Sequence, residues 1–178
     1  MKKVGILVGS LRKDSLNKIV AEKVAELFPA DVETVFLDLD MPVYNEDYDS
    51  DTLETPASYD AFRKTGHEVD AFVIVSPEYN RSLPATVKNA IDVGSRPWGQ
   101  SIWNQKPVLV ISVSPSGLAG ALSNHAIRQA LVFNESLVLT QPEMYINAAT
   151  SIENGQVVEK TVEFLQSGVD AFVEFARR

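Results

Sequence analysis

Residues 9–17 read GSLRKDSLN and gather two serine hydroxyls, an asparagine amide and a guanidinium within eight positions, at Ser10, Arg12, Ser15 and Asn17. These side chains are hydrogen-bond donors, and Arg12 can meet an anion through two parallel N–H bonds. If a helix starts near Ser15, its free N–H groups add a partial positive charge, so the corner suits a phosphate. The same residues also make an ordinary helix cap, with Asp14 or Ser15 accepting from the first turn and Arg12 solvated. A second polar stretch, SPEYNRSLP, sets Glu78, Tyr79, Asn80 and Arg81 between Pro77 and Pro84. Such a loop can aim backbone groups at the polar edge of a flat heterocycle, or it can be a plain connection with Pro84 opening a helix. A third, SVSPSG, offers Ser114 and Ser116 hydroxyls and lets the backbone come close to a ligand at Gly117.

The elements that carry these loops follow from hydrophobic periodicity. Val4–Val8 is a short apolar run, and Leu16, Ile19, Val20, Val24 and Leu27 then recur at helical spacing before Pro29. VETVFLDL, AFVIVS, KPVLVISVSP and SLVL read as further strands. ASYDAFRKTGHEV, PATVKNAIDVGS, ALSNHAIRQALVF and a last helix striped with Val162, Leu165, Val169, Phe172, Val173 and Ala176 alternate with them. QPEMYINAATSIENGQ is expected to wander. The acidic stretch over 38–56 reads as a surface excursion, long enough to be expected functional or ligand-bordering, its role left open by the sequence. Five alternations predict an α/β protein with a mainly parallel sheet, one domain over 1–178. For the five-stranded order 2-1-3-4-5, ligands sit at the carboxyl ends of the strands between the first and third. Two of the polar loops fall there.

Composition excludes several chemistries. There is no cysteine, hence no disulfide, thiolate nucleophile or thiolate zinc site. Sixteen basic against twenty-four acidic side chains leave a formal charge of −8, which argues against nucleic acid or an anionic membrane as a partner. An anionic ligand must then be caught by local geometry. The opening MKKVGILVG is too short for a signal segment, and no stretch approaches a membrane span, so a cytoplasmic location is expected. No GxGxxG, GxxxxGK[ST] or GxSxG pattern occurs. A response-regulator receiver would need acidic residues where Gly9-Ser10 and Ser76-Pro77 stand. His67 and His125 read as surface or satisfied histidines, and the acidic run Glu46–Glu54 as a solvated loop without metal-ligand spacing.

The motifs resemble the NADPH-dependent FMN reductase family, flavodoxin-like proteins that include bacterial quinone, azo and chromate reductases. GSLRKDSLN is similar to its GSxRxxSxN phosphate loop, SPEYNRSLPATVKNAIDVGSRP to its TPEYNxSxPGxLKNAIDWxSRP segment, and AIRQALVF to its LRxxL helix. The resemblance implies a flavodoxin-like three-layer sandwich with FMN as cofactor and NADPH or NADH as reductant. It implies that Ser10, Arg12, Ser15 and Asn17 hold the phosphate. Pro77, Glu78, Tyr79, Asn80 and Arg81 would border the isoalloxazine, mostly through main-chain groups. Ser114, Ser116 and Gly117 would close the other side. The chemistry would run on the flavin, with no catalytic side chain and no metal: hydride from NAD(P)H, then electrons to a flat, quinone-like acceptor in ping-pong fashion. A flavodoxin-type electron carrier is the alternative.

Family members are typically dimers or tetramers, so a homo-oligomer is implied. Val93, Trp98, Ile102 and Trp103 would suit the interface or, equally, the chain's own core. Ala119-Gly120, Leu122, Ala85 and Arg81 depart from the common family pattern. The Arg81 cation is expected to favour NADPH or an anionic acceptor.

Overall fold

A computed structural model describes residues 1–50 and 52–178. Five parallel positions form the sheet, in the order β2-β1-β3-β4-β5. The strands are β1 (Lys3–Val8), β2 (Glu33–Leu37), β3 (Ala71–Ser76), β4 (Pro107–Ser114), β5 (Leu137–Val138) and β6 (Met144–Asn147). The fifth position is split. Both β5 and β6 pair in parallel with β4, one at its start and the other at its end. Leu139 still donates to Val108 O, at 2.9 Å. Beyond it Pro142 has no N–H to offer the ladder, and pairing resumes at Met144.

Helices α1 (Leu16–Leu27), α2 (Ala57–Glu68), α3 (Ala85–Gly94), α4 (Ala121–Phe133), α5 (Ala148–Ser151) and α6 (Glu159–Ala176) complete the layers. Alternate residues of each strand face opposite sides. Val4, Ile6, Val73, Val75, Leu109 and Ile111 pack with α1 and α6. Leu7, Phe72, Ile74, Val108 and Val110 pack with α2, α3 and α4 on the other side. The three-layer sandwich is therefore as expected. The segment expected to wander is structured instead. It holds β6, α5 and a small antiparallel pair, β7 (Ile152–Glu153) with β8 (Gln156–Val157). Asn154 and Gly155 both take positive φ in its turn, the conformation an Asn-Gly pair adopts at least cost.

Of the two readings of Val93, Ile102 and Trp103, the core one holds and the interface one does not: all three are fully buried in the chain's own core. Gly94 lets them in, because a Cβ there would lie 2.6 Å from Trp103 Nε1 and 2.8 Å from Ile102 Cδ1. The indole N–H donates to Ile91 O at 3.1 Å, so its one polar atom is satisfied. Only Trp98 stays outside, 81% exposed, beside the equally bare Phe133.

The acidic excursion is anchored along its length. Asn89 on α3 accepts from Tyr44 N at 2.8 Å and donates to Pro42 O at 2.8 Å. Farther on, Asp49 is buried against Arg63, Oδ1 to Nη1 at 2.8 Å, and accepts from Tyr44 OH at 3.0 Å. Burial, then that bond to Asp49, pushes the Tyr44 phenol up to about 12. Part of the acidic run thus serves as an internal counter-ion, and Asp51 lies outside the described residues.

Candidate functional site

The loop between β1 and α1 is where the sequence places the anion corner. Ser15 is the N-cap of α1, and its Oγ accepts from Lys18 N at 3.3 Å. That leaves the hydroxyl proton free to donate elsewhere. Among the described residues, no partner is found for the backbone N–H groups from Ser10 to Asn17, and Arg12 makes no ion pair. Asn17 is only 5% exposed, yet its Oδ1 has no hydrogen-bond partner. A buried polar atom left this way costs roughly 1–3 kcal/mol, which a polar ligand removes. The two ends of an amide are interchangeable in outline, so the position can offer either an acceptor or an N–H. The capping reading and the anion reading hold together here: Ser15 caps the helix while the rest of the donor set stays free.

Loops one and three are tied to each other. Gly9 N donates to Val75 O at 2.8 Å, and Thr86 Oγ1 donates to Gly9 O at 2.8 Å. A Cβ on Gly9 would sit 2.7 Å from Val87 Cγ2, so only glycine lets the first loop lie this close to α3. Thr86 carried no signal in the sequence, since its partner is 77 residues away.

After β3 the chain makes a tight reversal. Tyr79 N donates to Ser82 O at 3.1 Å and Ser82 N to Tyr79 O at 3.0 Å. Between them Asn80 and Arg81 have φ of 50° and 63°, the conformation of a type I′ turn. Tyr79, Asn80 and Arg81 are exposed on it. Glu78 differs. Its carboxylate accepts from Leu122 N and Ser123 N, at 3.0 and 3.3 Å, at the start of α4. Pro77 O accepts from the hydroxyls of Ser76 and Ser123 at 2.9 and 2.8 Å.

The third loop follows β4. Ser114 Oγ accepts from Ser116 N at 3.2 Å and lies 3.1 Å from Ser116 Oγ. Asn147, at the end of β6, donates to Ser116 O at 3.3 Å. Buried Ser112 donates to Ala119 O at 2.8 Å. A Cβ on Gly117 would meet nothing within 4 Å, so the chain's own packing does not require glycine there. Ser76, Ser112, Ser123 and Asn147, none of them expected among the ligand-holding residues, brace these loops.

All twelve residues singled out in the sequence lie at the carboxyl edge of the sheet, eleven in the three crossover loops or the first turn of α1 and Ser114 as the last residue of β4. His67 lies in the last turn of α2, and His125 meets Tyr145 OH at 3.2 Å on the surface of α4. The donor set of the first loop fits the phosphate of FMN, and the fit is carried by its unpartnered backbone N–H groups together with the orphaned Oδ1 of Asn17, an amide that presents its N–H to an anion once turned over.

Comparisons with known proteins point the same way. The family model for NADPH-dependent FMN reductase matches residues 2–151. A quinone reductase of Pseudomonas putida is 44% identical over 177 residues, covering 98% of this chain and 94% of that protein. A 2-hydroxy-1,4-benzoquinone reductase of Burkholderia sp. is 40% identical over 179 residues, covering 98% and 96%. Among solved structures, FerB, a flavoenzyme NAD(P)H:(acceptor) oxidoreductase from Paracoccus denitrificans, superposes with a TM-score of 0.89 at 38% identity. That match covers 99% of this chain and 98% of FerB.

Proposed function

The chain belongs to the NADPH-dependent FMN reductase family, and from that premise we propose that its three crossover loops hold FMN with one face open to a quinone-type acceptor. It is an FMN-dependent NAD(P)H oxidoreductase rather than a plain electron carrier. When bound, FMN supplies the ability to take a hydride from a reduced nicotinamide and to pass electrons on.

The protein's part is binding and orientation. Ser10, Arg12, Ser15, Asn17 and the free N–H groups of the first loop grip the phosphate tail, which carries about −1.5 to −2 charge near neutrality. In a chain of net charge −8, that grip is local and geometric. Pro77, Glu78, Tyr79, Asn80 and Arg81 border the ring on one side, and Ser114, Ser116 and Gly117 on the other. The braces described above hold both loops still, so rate would be gained by keeping the hydride donor and its acceptor in register. No side chain at the site is needed as an acid or base. Nicotinamide and quinone share one open face, so initial-velocity lines at several acceptor concentrations should run parallel. The carrying observation is the buried, unsatisfied amide of Asn17 beside uncommitted helix N–H groups.

We place the protein in the cytoplasm as a homodimer or homotetramer, with NADPH or NADH as donor. Among the described residues no helix is long and apolar enough to cross a membrane. The exposed pair Trp98 and Phe133 lines a cleft of about 270 Å³ suited to contact with another copy. The test is direct. Purified protein should be yellow, and anaerobic NADPH should bleach it within the mixing time. Yellow without bleaching would indicate a carrier, and absence of flavin after soaking in FMN would overturn the site assignment.

A further inference from the structure

The start of α4 is occupied by the protein's own carboxylate. Glu78 Oε2 takes the N–H groups of Leu122 and Ser123, and Oε1 lies 3.6 Å from Arg81 Nη1. Only 7% of the Glu78 side chain is exposed. Its partners are 44 and 45 residues away, on the helix that follows the next strand. The contact therefore joins the loop after β3 to the loop after β4, the two sides of the slot assigned to the flavin ring.

Burying a carboxylate carries a desolvation penalty of several kcal/mol, which apolar packing would avoid. Here it is met by a helix N-terminus and by a guanidinium that has 66% of its side chain exposed. Arg81 in turn sits on a left-handed turn where glycine would be easier. Ser123 adds a third tie through Pro77 O. Charge is thus used at a joint where neutral bracing was already present.

We propose that Glu78 is a positioning residue: through α4 it fixes the Asn80–Arg81 turn against the 114–120 loop, and through Arg81 it holds the guanidinium at the rim. This rests on the reading that those loops flank FMN. The Glu78 backbone borders the ring with its neighbours, while its carboxylate, turned to α4, touches neither flavin nor substrate in this account. Its side chain sets the separation and rigidity of the two loops that do.

The experiment compares Glu78→Ala and the isosteric Glu78→Gln with the parent, each stripped of flavin and checked for fold by circular dichroism. FMN and inorganic phosphate are the two probes, the second reporting on the first loop alone. Glu78→Ala should bind FMN ten- to a hundredfold more weakly, the range for loss of a charge-assisted contact. Its affinity for phosphate should change less than twofold. Tens of millimolar acetate should recover at least fivefold of the FMN affinity in Glu78→Ala, and none in Glu78→Gln, whose side chain still fills the place. Amide exchange at Tyr79, Ser82, Leu122 and Ser123 should quicken in both variants without any flavin present. Equal losses for FMN and phosphate would overturn the proposal, as would parental FMN affinity in both variants. A parent that binds phosphate but not FMN would overturn the ring assignment and this inference together. A parent that binds FMN with variants that match it would overturn this inference alone.

Discussion

Two helices begin at the same edge of the same sheet, and their ends are treated in opposite ways. At α4 the first N–H groups are met by the buried carboxylate of Glu78. At α1 they are met only in part: Ser15 caps Lys18 N, and the donors before it have no partner among the described residues. Asp14 stands in that loop, exposed, without closing the helix end as Glu78 does. A helix end facing water loses little by being left open, since water can bond to it. It keeps its partial positive charge for an outside anion. The difference teaches which end is structural and which is a receptor, and the free guanidinium of Arg12 beside α1 agrees with it.

The largest test of that contrast removes the receptor's charge. Arg12→Ala combined with Ser10→Ala should weaken FMN binding by roughly a hundred- to a thousandfold, two charge-assisted contacts at about 1.5–3 kcal/mol each with incomplete additivity. Riboflavin has the same ring without the phosphate, so parent and variant should bind it alike. Fluorescence titration of both flavins reads the result. A loss of less than threefold for FMN would show that α1 is no more a receptor than α4.

The amino edge of the sheet sharpens the contrast further, because there the chain satisfies its own free backbone donors and acceptors. Asp70 Oδ2 accepts from Lys2 N at 2.6 Å and Lys3 N at 3.0 Å, at the start of β1. Lys106 Nζ caps the end of α2 by donating to Gly66 O at 2.6 Å and Val69 O at 2.7 Å. The bond from Lys2 N–H, then that from Lys3 N–H, holds the Asp70 carboxyl below its ordinary value. Its folded pKa is depressed, so the stabilisation is complete above the unfolded value near ~4 and is lost as pH falls through the folded one. Asp70→Asn should lower the melting temperature at pH 7 by about 1–3 °C, since an exposed pair of this kind contributes under ~1 kcal/mol. The gap between parent and variant should close as the pH drops below ~4. A gap that persists at pH 2 would mean that the carboxylate's charge is not the cause.

Much of this was legible in residue order. Apolar runs of five to eight residues between helical stripes determine the sandwich, and polar loops after the first, third and fourth strands mark its working edge. The rest lies in contacts between distant residues. Nothing near Glu78 in the chain says that its carboxylate will find Leu122. Nothing near Trp103 says that Gly94 will make room for it, which is why a surface role looked as good as a core one. The Asn154-Gly155 hairpin is different in kind, a local signal that was present and passed over inside a segment too polar to look like strand.

The smallest effect concerns the rim itself, where Arg81 stands in a conformation that suits glycine. A left-handed residue other than glycine costs about 1–2 kcal/mol in the folded state, and glycine returns roughly half of that through the greater freedom of the unfolded chain. The ion pair to Glu78 is long, at 3.6 Å, and its guanidinium is exposed, so losing it costs only a few tenths of a kcal/mol. Arg81→Gly should therefore raise the melting temperature slightly, by about 1–2 °C. If the guanidinium is kept for function, the same variant should bind NADPH or a carboxylated quinone several-fold more weakly and leave a neutral quinone unaffected. The two half-reactions, measured separately, tell which partner carries the anion. A lower melting temperature would instead show that the Glu78 contact outweighs the strain, and the turn would then belong with the closed end of α4 and not with the open end of α1.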